Sequence, residues 1–167
     1  MTIDLRAEEI AEDLLYRTSK ALISNCCDRV GACFEYPQVL ETIAGKLLVE
    51  SEDDIFKMYA RVRSYFEANG VRDIVRTVVS AEFLSPTMVG STHVSQLLLE
   101  DGTPFRAPYP SYSILRESGG VWRVASTMSA ILDAPEHNVA LSGRGGNGEA
   151  ESGNLTPSEG NGGRHRP

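Results

Sequence analysis

Between Asp73 and Leu132 the chain reads as four β segments in succession: Ile74 to Leu84, Met88 to Leu99, Phe105 to Arg116 and Val121 to Leu132. The breaks between them are Ser85-Pro86, Glu100-Asp101-Gly102-Thr103 and Glu117-Ser118-Gly119-Gly120. Each is a turn signal, because proline presets φ and glycine accepts the positive φ of a tight reversal. A parallel return needs a crossover of a dozen or more residues, so strands joined this closely must run antiparallel. The result is a long meander, and whatever else the chain forms must cover one of its faces.

The residues before the meander supply that cover. A helix is expected from about Leu5 to Ile23, capped by Asp4, with Ile10, Leu14, Thr18, Ala21 and Leu22 on one face. Asn25 and Asp28 suggest the start of a shorter helix with Cys27, Val30, Cys33 and Phe34 turned inward, ended by Tyr36-Pro37. Gln38 to Glu50 reads as a small hairpin around Ala44-Gly45. Ser51 then caps a helix whose Ile55, Met58, Tyr59, Val62, Tyr65 and Phe66 recur at helical spacing, with Asn69-Gly70 as its stop. That stripe is either core packing against the sheet or part of a ligand box.

Helices, hairpin, helix and then four strands is the segregated order of an α+β domain. The expected architecture is a cone-shaped, curved antiparallel sheet, the four-strand meander plus the N-terminal hairpin, packed against about three helices from the N-terminal half. A curled sheet roofed by helices encloses a concave site between them, where a small molecule would bind.

The domain is expected to span residues 1–141. From Ser142 to Pro167 the chain holds eight of the fifteen glycines, no aromatic residue and one large apolar side chain, Leu155, so residues 142–167 are read as a disordered tail. The net charge of −7 argues against nucleic acid, which calls for a basic surface along its phosphates. No apolar run approaches the roughly 20 residues that span a bilayer, and Met1 to Arg6 has no apolar signal region; the expectation is a cytoplasmic protein without membrane contact. Cys26, Cys27 and Cys33 lack a Cys-x-x-Cys pair or nearby histidine, so they read as free buried thiols, and neither a metal nor a cofactor is expected.

Ala21-Leu22-Ile23-Ser24-Asn25, Phe34-Glu35-Tyr36-Pro37, the hairpin, the Ser51-capped helix closing at Gly70 and a meander ending Gly120-Val121-Trp122-Arg123-Val124 together resemble the nuclear transport factor 2-like superfamily. In layout the chain is most similar to its SnoaL-like and ketosteroid-isomerase-like branches, over roughly Leu5 to Leu132. The resemblance implies a cone-shaped α+β fold, often dimeric through the outer sheet face, with a pocket at the open end. Members include isomerases, cyclases, dehydratases, epoxide hydrolases and proteins that only bind, so fold does not carry function with it. The ketosteroid-isomerase branch would place its carboxylate base at Tyr36, its second acid near Tyr112 and its phenolic donor near Thr18, with Tyr16 two residues away. The first two of those positions hold phenols here, and Glu35 should point away from its neighbour's face. A phenol with a pKa of about 10 is a poor proton acceptor.

His93 is the remaining titratable candidate, with a weaker one in Tyr36. The Ser85-Pro86 turn sets His93 opposite Val78 or Val79, and Glu82 reaches it only through a bulge or another register. It is either a general acid/base or a hydrogen-bonded wall histidine. Pro104, Pro108 and Pro110 mark a bend in the third long strand. On the last strand Trp122, Val124, Ser126, Met128 and Ala130 should share one face. The expected ligand-binding residues are Tyr36, Met58, Tyr59, Val62, Tyr112 and Trp122. Three functions follow: a small-molecule-binding domain for a small apolar ligand; a SnoaL-like isomerase, cyclase or dehydratase acting on an apolar ring substrate through His93 or Tyr36; or a dimeric interaction module with a filled cone. A homodimer through the outer sheet face is compatible with each.

Overall fold

A computed structural model describes residues 4–24, 29–132 and 134–143. The first element, α1, spans Leu5–Ile23, and the Asp4 carboxylate accepts the backbone N–H groups of Arg6 and Ala7 at its start. A single 3-10 turn at Gly31–Cys33 follows. The chain then forms β1 (Phe34–Thr42), β2 (Gly45–Val49), α2 (Glu52–Ala68), β3 (Val71–Ser85), β4 (Met88–Leu99), β5 (Tyr109–Ser118), β6 (Val121–Ser129) and α3 (Pro135–Ser142). At the start of α2 the Asp54 carboxylate accepts the backbone N–H groups of Glu50 and Ser51.

The six strands form one curved sheet in the order β2-β1-β6-β5-β4-β3, with the meander antiparallel throughout. Expected as wholly antiparallel, the sheet is mixed, because β1 lies parallel to β6. Short connections fix the direction of every pair in the meander, but α2 and four strands separate β1 from β6, and a connection of that length leaves the direction free. Extra residues at Val79 of β3 and Ala125 of β6 have no opposite number on the neighbouring strand, and such bulges bend the sheet.

The helices α1 and α2 bury their apolar faces on the concave side. Ala7, Ala11, Leu14 and Leu22 of α1 and Ile55, Met58, Val62 and Phe66 of α2 are all buried. Cys33 is a free thiol in the same core, its pKa pushed up by burial. Three further expectations are corrected. The start of the helix sought after Asn25 lies outside the described residues, with Cys26 and Cys27, and where it was expected to continue the described chain has a 3-10 turn at Gly31–Cys33 that passes into β1 at Phe34. The third long strand begins at Tyr109, because Pro104 and Pro108 interrupt the ladder and only an isolated bridge, Leu98 with Pro104, precedes it. The last strand ends at Ser129, and the third full helix, α3, follows the meander instead of preceding it. Residues 144–167, which hold most of the expected tail, lie outside the described residues, whereas Ser142 is buried at the end of α3.

α3 lies against α2 and touches β1 and β2 at the mouth of the cone. Two bonds hold it there. Arg61 Nε on α2 donates to the Ala140 carbonyl at 2.9 Å, and Asn138 Nδ2 donates to the Ile131 carbonyl at 3.0 Å. Among the described residues, no helix is long and apolar enough to cross a membrane.

Candidate functional site

Side chains alternate along a strand, so the inward residues of β4, β5 and β6 follow from the register. Inward on β4 are Val89, Ser91, His93, Ser95 and Leu97, all buried; inward on β5 are Ser111, Ser113 and Leu115. The bulge at Ala125 shifts the parity of β6, so Val124 is followed on the inner face by Thr127 and Ser129, not by Ser126 and Met128. The single alternation expected for β6 is thereby corrected.

Register then stacks these residues in rows across the sheet. Val89, Leu115 and Val124 form an apolar row, joined by Phe34 on β1. The next row is Ser91, Ser113 and Thr127, and the one after it His93, Ser111 and Ser129. A last row runs from Arg76 on β3 through Ser95 to Tyr109. Hydroxyls bond along the rows, Ser111 Oγ to Ser129 Oγ at 2.8 Å and Ser113 Oγ to Thr127 Oγ1 at 3.2 Å, while the buried Ser91 Oγ finds no protein partner.

These rows are the floor of a cavity of about 90 Å³. Its roof is apolar, with Leu14 and Leu22 from α1, Met58, Val62 and Phe66 from α2, and Leu141 from α3. One water needs roughly 10–15 Å³ of such space, so the cavity admits several waters or one small organic molecule.

Three ionisable side chains, besides the Tyr59 and Tyr109 phenols, face this space. Burial, and then the nearby Arg76 guanidinium, pull the His93 imidazole down to about 3. His137 of α3 stacks on Tyr65 at 4.9 Å and meets Tyr109 edge-on at 5.3 Å; burial first, then Arg76 and Arg106, pull it to about 4. Both are neutral near pH 7 and serve as hydrogen-bonding groups. Arg76 is the cation, its Nη1 donating to Thr18 Oγ1 at 3.1 Å and its Nε enclosed without a protein acceptor. Among the described residues no aspartate or glutamate lines the cavity, and none groups with two other His, Cys, Asp or Glu side chains in a metal-ligating cluster.

The structure separates the residues expected to bind ligand. Met58, Tyr59, Val62 and His93 line the cavity; Tyr36, Tyr112 and Trp122 do not. Tyr36 donates its phenol to the Gly31 carbonyl at 2.9 Å, and burial together with nearby Glu52 pushes its pKa further above the ordinary phenol value. Tyr112 lies on the outer face, because its inward neighbours are Ser111 and Ser113, and its hydroxyl covers Gly90, where a Cβ would displace it. Trp122 stands beyond the apolar row, its ring edge-on to Phe83 at 6.0 Å. Glu35 also turns outward and pairs with Arg116 at 2.5 Å, and Glu82 is exposed opposite Gly90, so neither approaches His93. Of the three positions matched to the ketosteroid-isomerase branch, Thr18 alone reaches the cavity.

The hydroxyl rows, Arg76 and His137 were not anticipated as a site. A signal for the rows exists: Ser91-x-His93-x-Ser95, Ser111-x-Ser113 and Thr127-x-Ser129 place small polar residues at period two on three neighbouring strands. Arg76 shares its parity with Ile74, a buried core residue.

Comparison with known proteins identifies the fold. No protein-family model and no curated protein sequence matches the chain. Solved structures do match. A protein of unknown function with a cystatin-like fold from Nostoc punctiforme PCC 73102 superposes with a TM-score of 0.61 at 10% identity, over 80% of this chain and 97% of that one. An NTF2-like protein with a cystatin-like fold from Novosphingobium aromaticivorans gives 0.59 at 15% identity, over 82% and 89%. A ketosteroid isomerase-like protein from Erwinia carotovora atroseptica SCRI1043 gives 0.56 at 19% identity, over 76% and 94%.

Proposed function

From a chain with the nuclear transport factor 2-like fold, we propose a small-molecule-binding protein whose ligand occupies the cavity between α1, α2 and the inner faces of β4 to β6. The observation that carries this reading is a cavity with an apolar roof and a hydroxyl floor in which the Ser91 Oγ lacks a protein partner. Apolar enclosure with a few fixed polar groups is the composition of a ligand site, and a core kept only for stability gains nothing from serines turned inward. The ligand is small. A cavity of about 90 Å³ falls short of the roughly 150 Å³ that accommodates a benzene ring, so a short branched chain fits better than a fused-ring substrate.

Binding without proton transfer is the reading the side chains favour. A general base works best with a pKa near the ambient pH, and His93, at about 3, is a weak proton acceptor with no carboxylate among the described residues to orient it. The Tyr36 phenol is committed to the Gly31 carbonyl outside the cavity. His93 is then a neutral wall group that fixes the ligand's orientation.

Native mass spectrometry of the protein purified from its own source tests this. A retained small molecule, displaced by a Ser113→Leu substitution that fills the floor, is the expected result. A spectrum without adducts, together with an unchanged melting temperature across a small-molecule library, would refute the reading.

A further inference from the structure

We propose that the ligand is a monocarboxylate with a short apolar tail, and that Arg76 receives its carboxylate. This rests on the ligand-binding reading above and specifies its chemistry. Arg76 stands at the end of the row it forms with Ser95 and Tyr109, so its guanidinium, a serine hydroxyl and a phenol converge on one end of the cavity. Among the described residues Thr18 Oγ1 accepts from its Nη1 at 3.1 Å, and its Nε is enclosed without an acceptor.

Charge gives the argument its direction. The sequence has 23 acidic residues against 16 lysines and arginines, yet among the described residues none of those acids reaches Arg76 or lines the cavity. They pair instead on the exterior, as in Arg17 with Asp13, Lys57 with Asp53 and Arg116 with Glu35. Arg76 is half-buried with its Nε enclosed; a cation partly drawn out of water without a counterion carries a cost, and a fold with acids in excess would relieve it by placing one nearby. Leaving the position open makes an arriving anion the natural counterion.

The shape of the guanidinium selects among anions. Its planar fork matches a carboxylate through two parallel N–H···O bonds. Among the described residues that line the cavity Arg76 is the sole Lys or Arg, so one negative charge is balanced and a phosphate dianion is not. Ser95 and Tyr109 bond to each other, and the pair keeps one hydroxyl proton to donate to a remaining carboxylate lone pair; the tail then lies beneath Leu14, Met58 and Val62.

The test compares isosteres. Propionate, butyrate and isobutyrate are titrated by calorimetry and thermal shift at pH 7 against propionamide, butyramide and isobutyramide. At least tenfold tighter binding of one or more carboxylates than of the matching amide is expected, with that preference lost in Arg76→Met and reduced in Arg76→Lys, which keeps the charge but not the fork. The unliganded Arg76→Met protein should melt no lower than the parent, since it loses a half-buried cation that has no carboxylate partner among the described residues. Amides that bind as well as their acids would overturn the proposal and leave the ligand-binding reading standing. Binding of neither series overturns it as well, and the broader reading is then decided by the native mass spectrum. A carboxylate preference that survives in Arg76→Met would remove Arg76 from the site.

Discussion

The inner face of the sheet holds two regions built from the same three strands. At one end Val89, Leu115 and Val124 pack with Phe34 and leave no polar group to satisfy. A few ångströms further along each strand the inward positions become Ser91, Ser113 and Thr127, then His93, Ser111 and Ser129. Burial is similar in both, since Val89 is 0% exposed and Ser91 2%. The chemistry is opposite. The apolar row stabilises the fold by removing hydrocarbon from water, while the polar rows contribute little net stability and hold an enclosed space. One end of the sheet closes the cavity with hydrocarbon, the other lines it with hydroxyls.

Substitutions can break that contrast, and the largest effect is expected in the core row. Leu115→Ala should lower stability by about 2–5 kcal/mol in urea unfolding, because it removes buried hydrocarbon and enlarges the cavity that Leu115 borders. A loss below about 1 kcal/mol would mean that the two ends are alike.

The container should respond to acid. His93 and His137 have folded pKa values of about 3 and about 4, below the ordinary value near 6.5. Between pH 6.5 and those values the unfolded chain binds more protons than the folded one, so stability is full above about pH 6.5 and falls as the pH drops. Each histidine contributes a slope of up to about 1.4 kcal/mol per pH unit in that window. His93→Asn should flatten the profile between pH 6 and 4 by one proton's share, measured by urea unfolding at each pH. An unaltered slope would place His93 in water.

Ser91→Ala should change stability by less than about 1 kcal/mol in either direction, because it removes a buried hydroxyl that has no protein partner among the described residues. A loss above about 2 kcal/mol would show that the hydroxyl is satisfied by a structural water. The smallest effect on stability is expected on the outer face. Val75, Leu84, Tyr112 and Met128 are each between 41% and 53% exposed there. Met128→Glu should leave the melting temperature unchanged within about 2 °C. If that face carries the expected homodimer, the same variant halves the mass measured by light scattering, and an unchanged mass argues against self-association through it.

Much of the architecture is legible in local signals. The Asp4 cap, the Ser51 box and the Ser85-Pro86 turn each mark an element boundary through contacts only a few residues apart. The Ser85-Pro86 turn also fixes His93 opposite Val78, since a tight reversal leaves little freedom of register. The inward placement of Met58, Tyr59 and Val62 follows from helical spacing, which needs no knowledge of the partner surface.

The site was less legible because its geometry depends on distant pairings. Tyr112 and Trp122 attract notice as aromatic residues, but the first turns outward by strand parity and the second lies past the end of the polar rows. A one-residue bulge at Ala125 decides whether Ser126 or Thr127 faces the cavity, and nothing in the local sequence sets it. The sequence by itself determined the helices, the meander and the absence of an acid at Tyr36 and Tyr112. Only the tertiary structure brought Thr18, Arg76 and His137 to one space, from three elements whose meeting depends on how far the sheet curls. Local hydrogen bonding and periodicity define elements; the curvature that turns them into a container is a property of the whole sheet.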